Sequence, residues 1–132
     1  CGFQNGDSLT AVALQPKIAA AQGAFALWCG GGDRVVTWGN SQLGGDSTTV
    51  QDPLNGVQQI FATDYAFAAI LTDGSVVTWG SPTFGGDSTA VQGQLNNVQK
   101  ISSTKGAFAA ILTDGSVVTW GNPGFGGDSS AV

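Results

Sequence analysis

The sequence predicts an all-β fold of about three four-stranded, antiparallel, blade-like repeats. Three observations lead there. The string VVTWG occurs at Val35–Gly39, Val76–Gly80 and Val117–Gly121, with 41 residues between successive copies. Asp73-Gly74 and Asp114-Gly115 sit between apolar segments, the strongest short hairpin signal. The segment before each of these turns is apolar on both faces, as in a strand covered from both sides. The 132 residues make one repeat domain, with units at about 5–43, 44–84 and 85–125, and 126–132 starting a further unit. The second and third units match at 30 of 41 positions, and 66–80 is identical to 107–121.

Each unit reads as four strands. In the second, the first strand is expected near 47–50, after the Gly-Gly-Asp turn signal, and the next over 57–63. The last two, 66–72 and 75–80, flank Asp73-Gly74, which predicts a type I′ turn with positive φ at both central residues. In strand three, Phe67, Ala69 and Leu71 share one face, and Ala68 and Ile70 the other. The alanines let a neighbouring sheet approach closely. The first unit replaces Asp-Gly with the longer Gly30-Gly31-Gly32-Asp33.

These residues resemble a known family. The pattern Val57-x-x-Ile60-x-Ala62, followed by Ala66 to Gly80 with its Asp-Gly-x-Val-x-x-Trp-Gly core, is similar to the regulator-of-chromosome-condensation repeat. The resemblance implies β-propeller blades, which in that family usually number about seven. Two departures stand out: the family carries His where this chain has Ala66 and Ala107, and its units are longer. The exchange-factor activity of the founding member on a small GTPase is therefore not carried over. Three units leave three architectures open: part of a longer array, a propeller completed by oligomerisation, or a pseudo-threefold β-prism or β-trefoil. In any of them 126–132 is expected to pair as a strand, with the first unit or with a neighbouring molecule.

Composition narrows function. With no His, Ser-His-Asp triads and His-containing zinc sites are excluded. No pair of carboxylates has a recognisable catalytic spacing, so the chain is expected to be no enzyme and to hold no cofactor or metal. Four basic residues and a net charge of −5 disfavour nucleic acid. The partner is expected to be a protein or a larger complex, or a second copy through the chain ends, with any membrane contact indirect. The chain starts at Cys1 and contains no Met, so a processed chain from a secreted, periplasmic or organelle-lumen setting is expected. Cys1 and Cys29 are compatible with a disulfide, with a lipid on Cys1, or with two free thiols.

Trp38, Trp79 and Trp120 recur at one position, which favours a shared core over sugar-stacking platforms. Asp46, Asp87 and Asp128 sit in repeated turns and are expected to cap backbone, since calcium loops space their ligands more densely. Differences between the second and third units cluster at 52–65 against 93–106. Phe61 is matched by Ser102, Asp64 by Lys105 and Tyr65 by Gly106. The candidate binding residues are accordingly Phe61, Asp64 and Tyr65, with Lys100 and Lys105 of the following unit. The function expected is a non-enzymatic interaction or scaffolding module, with a carbohydrate-binding lectin as the alternative.

Overall fold

Nine strands form three antiparallel sheets in a computed structural model that describes residues 16–29, 34–51, 53–54 and 56–130. The first sheet holds β1 (Pro16–Ala20), β2 (Ala24–Cys29) and β3 (Val35–Gly39). The second holds β4 (Val57–Ala62), β5 (Ala66–Leu71) and β6 (Val76–Gly80). The third holds β7 (Val98–Ser103), β8 (Ala107–Leu112) and β9 (Val117–Gly121). In each the middle strand pairs with both neighbours, and the sheets follow one another in an open row. The blade-like reading holds. The pseudo-threefold β-prism or β-trefoil alternative does not describe this arrangement, because the described sheets form an open row and not a closed one.

The core consists of two layers, each between consecutive sheets. Phe67, Ala69, Leu71 and Trp79 face the first sheet, meeting Ala24, Ala26, Trp28 and Val35. Ala66, Ala68, Ile70 and Val76 face the third, meeting Phe108, Ala110, Val118 and Trp120. All six residues of β5 are buried, as a strand between two neighbours requires. Trp28, without a counterpart in the other units, fills the first layer at the position of Ile70. Its buried Nε1 has no hydrogen-bond partner among the described residues. Cys29 is disulfide-bonded. The expectations for Cys1, for the Gly30–Asp33 connection and for the chain's first residues lie outside the described residues.

Three expectations need correction. Among the described residues each sheet has three strands, because the strand expected first in the second and third units is a 3₁₀ turn, at Thr48–Val50 and Thr89–Gln94. The backbone is captured locally: the Thr48 N–H and hydroxyl both donate to Asp46 Oδ1, at 3.0 and 2.6 Å. Such side-chain bonds compete with a strand ladder. The turn is tied to β3 by side chains instead. The buried Ser47 hydroxyl bonds Thr37 at 2.8 Å, and Gln51 donates to Ser47 Oγ and to the Val35 carbonyl. Thr78, Ser88 and Gln92 repeat this network one unit later.

The second correction is the hairpin turn. Gly74 has φ +85°, but Asp73 does not share a positive φ. The Gly74 N–H donates to the Leu71 carbonyl, and the Leu71 N–H to that of Ser75. This is a three-residue loop with glycine at its left-handed position, not a type I′ turn. The third concerns 126–132. Its described part, through residue 130, forms no strand. A 3₁₀ turn at Pro123–Phe125 leads back to β9, where Thr119 Oγ1 bonds the Gly127 carbonyl and Ser129.

Five exposed aspartates, Asp46, Asp73, Asp87, Asp114 and Asp128, have pKa values held below the ordinary carboxylate value. The causes are hydrogen bonds first from the hydroxyl and then from the backbone N–H of the Thr or Ser two residues on. A depressed folded-state pKa contributes stability that is fully present above the unfolded value and is lost as pH falls through the folded one. The melting temperature is therefore expected to hold from neutrality to about pH 5 and to fall below about pH 4. Thermal melts across that range check this; a decline already complete at pH 5 would contradict it.

Candidate interaction surface

The turns joining the first two strands of each sheet line up along one rim. The Gln22 N–H donates to the Asp64 carbonyl at 2.8 Å, and the Asp64 N–H to the Lys105 carbonyl at 2.9 Å. Backbone bonds thus lace the three sheets together at equivalent positions. Gln22 Nε2 also donates to Asp64 Oδ2 at 3.2 Å. Of the five candidate residues, Asp64, Tyr65 and Lys105 share this rim. Phe61 does not join them: it is half-buried and packs into the layer between the second and third sheets. Lys100 lies exposed on β7, paired across the strand with Ile111 on the open face of the third sheet.

Two rim aromatics escaped the sequence reading. Tyr65 meets Phe84 edge-on, with centroids 4.7 Å apart, and Phe84 lies 6.1 Å from Phe125. Phe84 leans over Gly106, where a Cβ would come within 3.0 Å of its ring. The signal was available, since Phe84 and Phe125 close equivalent units, but attention to positions that differ between units passed over two that agree. The rim thus carries three aromatic rings together with an acidic residue, Asp64, and a basic one, Lys105.

The two ends of the row differ from the interior. Every sheet carries the same Phe–Trp pair: Phe25–Trp38, Phe67–Trp79 and Phe108–Trp120, with centroids 5.3 to 5.4 Å apart in each. Trp79 Nε1 donates to the Gly44 carbonyl and Trp120 Nε1 to that of Gly85, both at 3.1 Å. Those two indoles are buried core, as their recurrence predicts. Trp38 is 43% exposed and Phe25 42%.

The chain is similar to several solved propellers. The ectodomain of the receptor kinase CR4 from Physcomitrella patens matches at TM-score 0.54 and 16% identity, over 78% of this chain and 28% of that one. Prp20p from Saccharomyces cerevisiae, studied with its binding to Gsp1p and histones, matches at 0.52 and 16%, over 80% and 30%. Human WBSCR16 matches at 0.52 and 21%, over 88% and 36%.

The sheets are blades of the RCC1-like repeat fold.

At these identities the likeness is one of fold, and the chain spans about a third of the length of those structures. No family model matches the sequence, and no curated protein does. The RCC1-like blade explains the two-sided β5 and the seated Trp79 and Trp120: in a propeller each blade packs its neighbours on both faces.

Proposed function

We propose that this chain is a non-enzymatic protein-binding module, a scaffold segment of a larger assembly whose contact surface is the rim at Asp64, Tyr65 and Lys105. The observation that carries this reading is the aromatic row Tyr65–Phe84–Phe125 on that rim, beside strands of identical sequence in the second and third units. Aromatic side chains flanked by polar groups are the usual anchors of protein contacts. Yeast Prp20, which has the same fold, binds Gsp1p and histones and has been seen with Kap60. The net charge of −5 here favours a protein over a phosphate backbone.

The test is affinity capture from a source extract with the wild-type chain and with a Tyr65→Gly, Lys105→Ala variant. The variant is expected to lose the captured protein. It is also expected to lose only about 1 kcal/mol of stability, the scale of one aromatic edge contact, because the matching unit already has Gly106. An unchanged captured set from a folded variant would overturn the reading; chemical denaturation supplies the folding control.

A further inference from the structure

The outer edge of the second sheet, in the middle of the row, has room for another strand. A propeller blade ordinarily has four strands, and among the described residues this one has three. β6 pairs with β5 on one side only. The Ser81 N–H donates to the Tyr65 carbonyl and the Leu71 N–H to the Ser75 carbonyl, so the odd-numbered residues face β5. In an antiparallel ladder the alternate residues, Val76, Thr78 and Gly80, then turn their N–H and C=O outward. Gln92 Nε2 occupies the Val76 carbonyl from that side, at 3.1 Å. Among the described residues nothing bonds the backbone N–H or C=O of Thr78.

This edge is the floor of a groove. One stretch, of about 650 Å³, is lined by Asp46, Thr49 and Val50 along with Thr78 and Gly80. Past Thr78 it continues into a stretch of about 300 Å³ lined by Pro53, Val77, Asp87 and Thr89. The turn after β3 borders the groove on the side of Val77 and Trp79, which face the first sheet. The turn after β6 borders it on the other side, where the Thr78 hydroxyl bonds the Gly86 carbonyl and Ser88. A groove of about 260 Å³ recurs along β9, between Val91 and the turn at 127–130, so the repeat itself builds it. Its charge has one sign. Asp46 and Asp87 stand on opposite walls, and no lysine or arginine lines either stretch. Each carboxylate uses Oδ1 to hold its own turn, at Thr48 and Thr89. The lining indole, Trp79, is only 3% exposed and offers no platform for a sugar ring.

We propose that this groove takes an extended basic peptide as a fourth strand of the blade, paired with the Thr78 N–H and C=O and carrying cationic side chains to Asp46 and Asp87. Main-chain bonds along a sheet edge supply the affinity of such a complex, and side chains supply its specificity. A strand turns successive side chains to opposite faces, so two neighbouring basic residues reach the two walls. Gln92, holding the Val76 carbonyl, confines the pairing to the half of β6 toward Gly80. That sets the register and keeps the edge from accepting a long strand of arbitrary sequence. The groove is separate from the Tyr65 rim: none of Asp64, Tyr65 and Lys105 lines it.

The experiment is NMR titration of the chain with the peptide Thr-Val-Thr-Lys-Lys-Thr-Val-Thr, followed at the Thr78 amide. That signal is expected to shift with a Kd of roughly a hundred micromolar, since a few edge bonds must offset the ordering of a flexible peptide. At saturation, exchange of the Thr78 N–H with solvent is expected to slow by more than about tenfold, because a strand bond now protects it. Asp46→Asn with Asp87→Asn weakens binding about fivefold, the scale of two exposed ion pairs. Asp73→Asn with Asp114→Asn removes the same charge from exposed aspartates outside the groove and leaves binding unchanged. Asparagine keeps an oxygen for each turn, and circular dichroism confirms that both variants fold. A Thr78 amide that does not respond by roughly ten millimolar peptide overturns the proposal. So does a shift without slowed exchange, or an equal loss in the two double variants. A Thr78 response to maltohexaose in place of the peptide would overturn it in favour of a sugar site.

Discussion

Trp79→Ala is expected to lose about 3–5 kcal/mol of folding stability, the largest effect of any substitution considered, while Trp38→Ala loses about 1–2 kcal/mol. Both residues occupy the same place in the repeat and stack on equivalent phenylalanines, Trp38 on Phe25 and Trp79 on Phe67. They differ in what lies over them. Trp79 is 3% exposed within the first core layer, and its removal opens a cavity and also strips the Gly44 carbonyl of its indole donor. Trp38 is 43% exposed, and among the described residues no carbonyl accepts from its indole, so its removal opens no comparable cavity and breaks no such bond. For a chain of this size the Trp79 change corresponds to a drop in melting temperature on the order of 10–20 °C, enough to unfold a marginal domain near physiological temperature. Trp120→Ala should behave like Trp79→Ala, since Trp120 is equally buried and makes the matching bond. Equal losses for Trp38 and Trp79 in dilute solution would contradict the arrangement.

Gly85→Ala is expected to cost about 2–5 kcal/mol, and Gly126→Ala only about 1–2 kcal/mol. Both glycines hold a positive φ that an L side chain adopts at a cost of roughly 1–2 kcal/mol. That term is common to the two. At Gly85 the new methyl also meets the Phe108 ring at 2.5 Å, far inside van der Waals contact, and crowding of this kind typically adds about 1–3 kcal/mol. At Gly126 it meets nothing. The difference between the variants therefore measures the blade-to-blade contact with backbone strain subtracted. Denaturant titration of the two chains, at a concentration where they are monomeric, checks it.

The blades were legible in the sequence because their packing is written into single strands. The alternation of Phe67, Ala69 and Leu71 against Ala68 and Ile70 states which side faces which neighbour, and both layers form accordingly. The expected strand over 47–50 was not legible. Thr48, Thr49 and Val50 have strand propensity, but Asp46 takes the Thr48 donors first, and that choice depends on side-chain geometry rather than periodicity. The turn at Asp73-Gly74 failed for a related reason. The Asp73 carboxylate bonds Ser75 from a negative-φ backbone, so glycine alone supplies the left-handed residue. Of the candidate site, Asp64, Tyr65 and Lys105 were found through variation between near-identical units. Phe61 varies as well, but it lies opposite Ala68 on the face that meets the next blade. Variation there reflects a change in packing between sheets, which pairwise comparison cannot separate from a change in partner.

The row of blades makes three repeated indoles unequal, and their exchange with solvent tests that most directly. The measurement is hydrogen exchange of the tryptophan Nε1–H groups by NMR, made in dilute solution. The Trp79 and Trp120 indoles, buried and bonded to the Gly44 and Gly85 carbonyls, are expected to exchange slowly, at rates set by opening of the blades. The Trp38 indole, 43% exposed, is expected to exchange orders of magnitude faster. Equal protection of all three would contradict the exposed position of Trp38 at the end of the described row.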